Sequence, residues 1–207
     1  MTYPRSIFPF LFALLLLFAP YALSAPPTPM EVIDEHVEKA RNILENPKYG
    51  EPGMAKEQRK ALYELSKGVF DFVEIAKRSL ARGWLRFTPD QRREFTDAFS
   101  RLLADVYLSR LQKNYKGSEQ VQLVSQEIDG RRAEVKSYVI HEGARTPVIY
   151  KMIMSGGRWK VYDVKVEEIS MVQNYRSQFR EYLLNNSPEA LIEQVKEKMK
   201  TEEDIGK

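Results

Sequence analysis

Residues 148–166 read VIYKMIMSGGRWKVYDVKV, and this stretch decides the fold. Apolar residues recur at every second position on both sides of Gly156-Gly157, the period that belongs to strands. Two adjacent glycines, free to take a positive φ, join such runs in a tight hairpin. Upstream, Val121–Ile128 and Ala133–His141 show the same period, with turns expected at Asp129-Gly130 and Glu142-Gly143. Together with Val148–Met154 and Trp159–Val166, they predict a four-stranded antiparallel meander.

Strict alternation puts Val148, Tyr150, Met152 and Met154 on one face of the third strand. It puts Tyr162, Val164 and Val166 on one face of the fourth, with Trp159 and Val161 opposite. Both faces then carry large apolar groups, more than a sheet with one solvated face requires. Helices packed on both sides would satisfy that pattern. So would a curved sheet whose concave face lines an apolar cavity.

Helical periodicity flanks the strands. Thr28-Pro29 with Glu31 forms a capping signature, followed by Met30, Ile33, Val37, Ala40 and Leu44 on one face. A polar helix is expected over 54–67, stopped near Gly68, and Asp71 with Glu74 opens another to about Ala81. Thr88-Pro89 with Gln91 opens the longest helix, which carries Phe95, Phe99, Leu102, Leu103, Val106, Tyr107 and Leu111. After the strands a helix starts at Ser170 and a last one at Ser187-Pro188, with a frayed tail from Thr201. Helices, then strands, then helices indicate an α+β fold: a curved sheet packed with N- and C-terminal helices in an NTF2-like cone.

A chain of 207 residues is one domain with appendages. Residues 1–24 hold one charged side chain, Arg5, and a run from Ile7 to Ala19 broken only by Pro9. That run is too short to span a bilayer and has the length of an export-signal core. Cleavage is expected after Ser24, leaving residues 25–207 as a single domain. The chain has no cysteine, which excludes disulfides, thiol chemistry and a lipid-anchored N-terminus. Its net charge of +3 from 32 basic and 29 acidic residues gives no reason to expect a nucleic-acid partner.

Catalytic signatures are missing. The two histidines, His36 and His141, form no ligand pair, and neither a nucleophile elbow nor a phosphate-binding glycine loop occurs. Asp163 is an acid within an apolar strand, read as a strand-end group bonded to a neighbour. No cofactor or metal is expected, and the protein is read as a monomer rather than an enzyme.

Two stretches carry a family likeness. FDFVEIAKRSLARGWLRFTPDQRREFTDAFSRLLADVYLSRL (70–111) and YKMIMSGGRWKVYDVKVEEISMVQNYRSQF (150–179) resemble the MlaC family of periplasmic phospholipid-binding proteins, also called the toluene-tolerance family. The family often has glycine where Glu168 stands and another near Ala81 or Arg82. The resemblance implies a periplasmic carrier that shuttles phospholipid between the outer and inner membranes and maintains outer-membrane lipid asymmetry. The implied partners are an outer-membrane lipoprotein–porin complex and an inner-membrane ABC transporter with an MCE-domain subunit. On this reading Phe72, Phe99, Leu103 and Tyr107 from helices line the lipid cavity. Tyr150, Met152, Met154, Tyr162, Val164 and Val166 join them from strands. Two other classes stay open on the residues: an exported NTF2-like enzyme with Asp163 or His141 as base, and a solid-core adaptor or chaperone.

Overall fold

The computed structural model describes residues 26–205, so the expected export signal, residues 1–24, lies outside the described residues. Helix α1 (Pro29–Leu44) opens with Thr28 and Glu31 capping each other reciprocally. A 3-10 turn (Pro47–Gly50) leads to α2 (Ala55–Val69). Gly68 does not stop α2: it lies inside the last turn, where a Cβ would stand 3.1 Å from Nε2 of His36. Its missing side chain is what lets α1 and α2 pack there. Helix α3 (Phe72–Leu80) is capped by Asp71 and runs into a 3-10 segment (Ala81–Arg86); α4 (Pro89–Asn114) again begins with a reciprocal box, Thr88 with Gln91.

The sheet has five strands in sequential antiparallel order, not four: β1 (Gln120–Asp129), β2 (Arg132–His141), β3 (Ala144–Ser155), β4 (Arg158–Val166) and the short β5 (Ile169–Ser170). The first turn sits one residue later than expected, at Gly130-Arg131, because Asp129 still pairs with Arg132. The fifth strand carries no signal in the sequence, because its turn, Glu167-Glu168, takes φ +48° and +68° without glycine or asparagine. Helices α5 (Met171–Asn185) and α6 (Pro188–Ile205) complete the chain, and α6 continues past Thr201 rather than ending there.

A bulge revises the reading of the faces. Lys151 pairs with Asp163 but Met152 pairs with Val161, so Tyr162 is an extra residue in β4. The shift brings Val161 and Trp159 to the same face as Val164 and Val166, against strict alternation. The sheet therefore has one buried face, with Ala133, Val135, Met152, Trp159 and Val161 packed against Val32, Ile33 and Val69 of α1 and α2. On the other face Glu134 and Lys151 form an ion pair at 3.3 Å and Lys136 is exposed. A second apolar cluster lies among α3–α6, centred on Phe95, Phe99 and Phe179. No helix among the described residues is long and apolar enough to cross a membrane.

Candidate functional site

The two clusters do not close completely on each other. Between them lies a cavity of about 450 Å³, within the range of small-molecule sites. A methylene is close in size to a water molecule, ~30 Å³, so 450 Å³ holds on the order of 15 of them.

Each wall is placed by local chemistry. The backbone N–H of Asp71 donates to the Val161 carbonyl (2.9 Å), and its carboxylate accepts from the Glu74 N–H (2.9 Å). That pins the α2–α3 junction to the edge of β4 and sets Phe70 and Phe72, ring centroids 5.9 Å apart, on the cavity. Ser66 of α2 and Ile75 of α3 lie beside them. Leu103, Ala104, Tyr107 and Leu108 come from α4, where spacings of three and four put them on one face. Tyr150, Val164 and Val166 supply the sheet wall, continued by Glu167 and Ile169 of the β4–β5 hairpin. Buried Asp163 accepts from the Ser170 hydroxyl (2.6 Å) and the Val172 N–H (3.0 Å), fastening α5 to β4. Met171 and Asn174 of α5 thereby close the last side.

Six of the ten residues expected at the lining stand there: Phe72, Leu103, Tyr107, Tyr150, Val164 and Val166. Four do not. Phe99 is core, its ring 4.9 Å from Tyr175, 5.1 Å from Phe179 and 5.4 Å from Phe95. Met152 is fully buried and Met154 half-buried in the cluster beneath α1 and α2. Tyr162, displaced by the bulge, lies under the Arg78 guanidinium at 4.0 Å. An apolar residue on the correct face of its element can face a filled or a hollow space, and periodicity is identical for both. Of the lining residues missed, Ala104 and Leu108 continue the face of Leu103 and Tyr107 and were readable from it. Glu167 and Ile169 belong to the hairpin that carried no sequence signal.

The lining is poor in charge. Among the described residues Glu167 is its one charged side chain, and the tyrosines remain neutral at physiological pH. Burial raises the pKa of Tyr107, Arg110 opposes the rise and Asp163 adds to it. Burial also raises that of Tyr150, partly offset by a hydrogen bond with Ser137. The mouth is marked by exposed apolar groups, with Ile169 68%, Val166 44% and Tyr107 42% accessible. A separate polar cleft of about 270 Å³, lined by Lys56, Arg59, Lys60 and Arg101, shares only Ala104 with the cavity.

The candidate bases lie elsewhere. His141 holds Nδ1 2.8 Å from a Glu119 oxygen at the end of β2, and Asp163 is occupied in fastening α5; neither lines the cavity. No group of three or more potential metal ligands occurs among the described residues.

Comparison with known proteins points one way. A family model described as "MlaC protein" matches residues 34–197. The toluene tolerance protein ttg2D of Pseudomonas putida is 33% identical over 100 residues, 48% of this chain and 46% of that protein. The match thus spans about half the length of this curated relative. A phospholipid-binding protein from Ralstonia solanacearum, solved in complex with a phospholipid, superposes with a TM-score of 0.71 at 20% identity, covering 83% of this chain and 96% of that one. That likeness shows the fold.

Proposed function

The chain belongs to the MlaC family, and from that premise we propose that it is a phospholipid carrier, with acyl chain in the cavity between α2–α5 and the sheet and headgroup at the mouth. The observation that carries this reading is the cavity itself, large, apolar and bordered by a single charged side chain among the described residues. Transferring some 15 methylenes from water at ~0.8 kcal/mol each is worth about 12 kcal/mol, so apolar contact can hold one acyl chain against water. The phospholipid bound to the Ralstonia protein of similar fold supports the same occupant.

The carrier works in the periplasm, exported by the signal in residues 1–24. It moves phospholipid between the outer and inner membranes and so maintains outer-membrane lipid asymmetry. It exchanges cargo with an outer-membrane lipoprotein–porin complex and with an inner-membrane ABC transporter bearing an MCE-domain subunit. Catalysis is not part of this role, which fits the placement of His141 and Asp163 outside the cavity.

Uptake from phospholipid vesicles tests it. Leu108→Glu puts a charge in the lining and Ala104→Trp fills it without one. Both variants, checked for folding by circular dichroism, should take up less than about a tenth of the lipid bound by the parent chain, since an unpaired buried charge or lost volume each costs over ~1.4 kcal/mol. Undiminished uptake by both folded variants would place the lipid elsewhere.

A further inference from the structure

Every phospholipid carries a phosphate, so a group that recognises phosphate does not choose among them. No lysine or arginine among the described residues lines the cavity; Arg110, exposed on α4 one turn from Tyr107, acts on its rim. Among the described residues the one charged lining residue is a carboxylate, Glu167. It stands in the turn between β4 and β5, with its backbone N–H bonded to the Pro147 carbonyl at 3.1 Å.

That turn is built at a cost. Glu167 and Glu168 take φ +48° and +68°, where a side chain is strained and glycine is not. The two carboxylates differ in use. Glu168 is paired with Lys165 at 2.5 Å, whereas Glu167 makes no ion pair among the described residues and borders the cavity mouth. Positive φ at both positions is what a two-residue hairpin requires; the unpaired carboxylate that this turn holds at the rim of a binding site is what points to recognition.

We propose that Glu167 selects the headgroup: its carboxylate meets the ammonium of a zwitterionic phospholipid, so that amine-bearing lipids are taken in preference to anionic lipids ending in hydroxyls. This rests on the carrier reading and names its substrate class. A headgroup without an amine offers Glu167 no counter-charge and brings its own negative charge towards it. Because Glu167 is solvent-exposed, the preference has the size of an exposed ion pair, about two- to five-fold, and weakens as salt rises.

The test loads lipid-stripped, full-length chain from vesicles of equal phosphatidylethanolamine and phosphatidylglycerol at low salt, then measures bound lipid by mass spectrometry. The parent chain should be enriched about two- to five-fold in phosphatidylethanolamine over the vesicles. Glu167→Gln should return the vesicle ratio and Glu167→Lys should favour phosphatidylglycerol, while Glu168→Gln keeps the parent ratio. Loading without preference, or an unchanged ratio in Glu167→Gln, overturns the role of Glu167 and leaves carriage standing. No loading by the parent chain overturns carriage and this proposal with it.

Discussion

At the scale of single residues, side-chain identity and backbone conformation disagree at four described positions, Ala81, Glu142, Glu167 and Glu168, and the first and last of these bear on the family likeness. Ala81, at the junction of α3 with its 3-10 extension, takes φ +49° and ψ −122°, and Glu168 takes φ +68°. Both sit at or beside positions where the resembled family often carries glycine. Ala81 is exposed, so a glycine there forfeits little burial. Ala81→Gly should therefore raise stability by about 1 kcal/mol, the strain released exceeding the added freedom of the unfolded chain. A denaturant titration checks this, and a lowered midpoint would contradict it. What the sequence could not supply at this scale was the difference between wall and core. Phe99 and Leu103 lie one turn apart on α4, yet one packs among aromatic rings and the other borders empty space.

At the scale of elements, most of the architecture was legible because local chemistry announces it. The capping boxes of α1 and α4 stand where Thr28 and Thr88 predicted them, and the Gly156-Gly157 turn joins β3 to β4. The errors arose where an element departs from its period. Tyr162 interrupts the alternation of β4, and a bulge leaves no mark in a row of apolar and aromatic residues. The glycine expected to end α2 instead serves packing: Gly68 faces the His36 ring, whose Nδ1 lies 2.8 Å from the Val32 carbonyl. Gly68→Val should cost about 1–3 kcal/mol by overpacking. In a double-mutant cycle with His36→Ala it should show coupling above ~0.5 kcal/mol. Additive effects in urea melts would mean that the two helices do not meet through this pair.

At the scale of the whole molecule, the cavity is the seam between two cores. Phe70 packs against both apolar clusters, Phe72 and Met171 against the helical one, and Tyr150 and Val164 against the one beneath the sheet. All five also line the cavity. The chain has no cysteine, so no disulfide fixes the spacing of the two clusters. An occupant of the seam would contribute apolar contact to both at once, and ligand binding of this kind stabilises the folded state by mass action. Organic extraction of protein expressed as the full chain, purified without detergent, and analysed by mass spectrometry tests this account most directly. It predicts phospholipid in stoichiometric amount; an extract free of phospholipid from well-folded protein would contradict it.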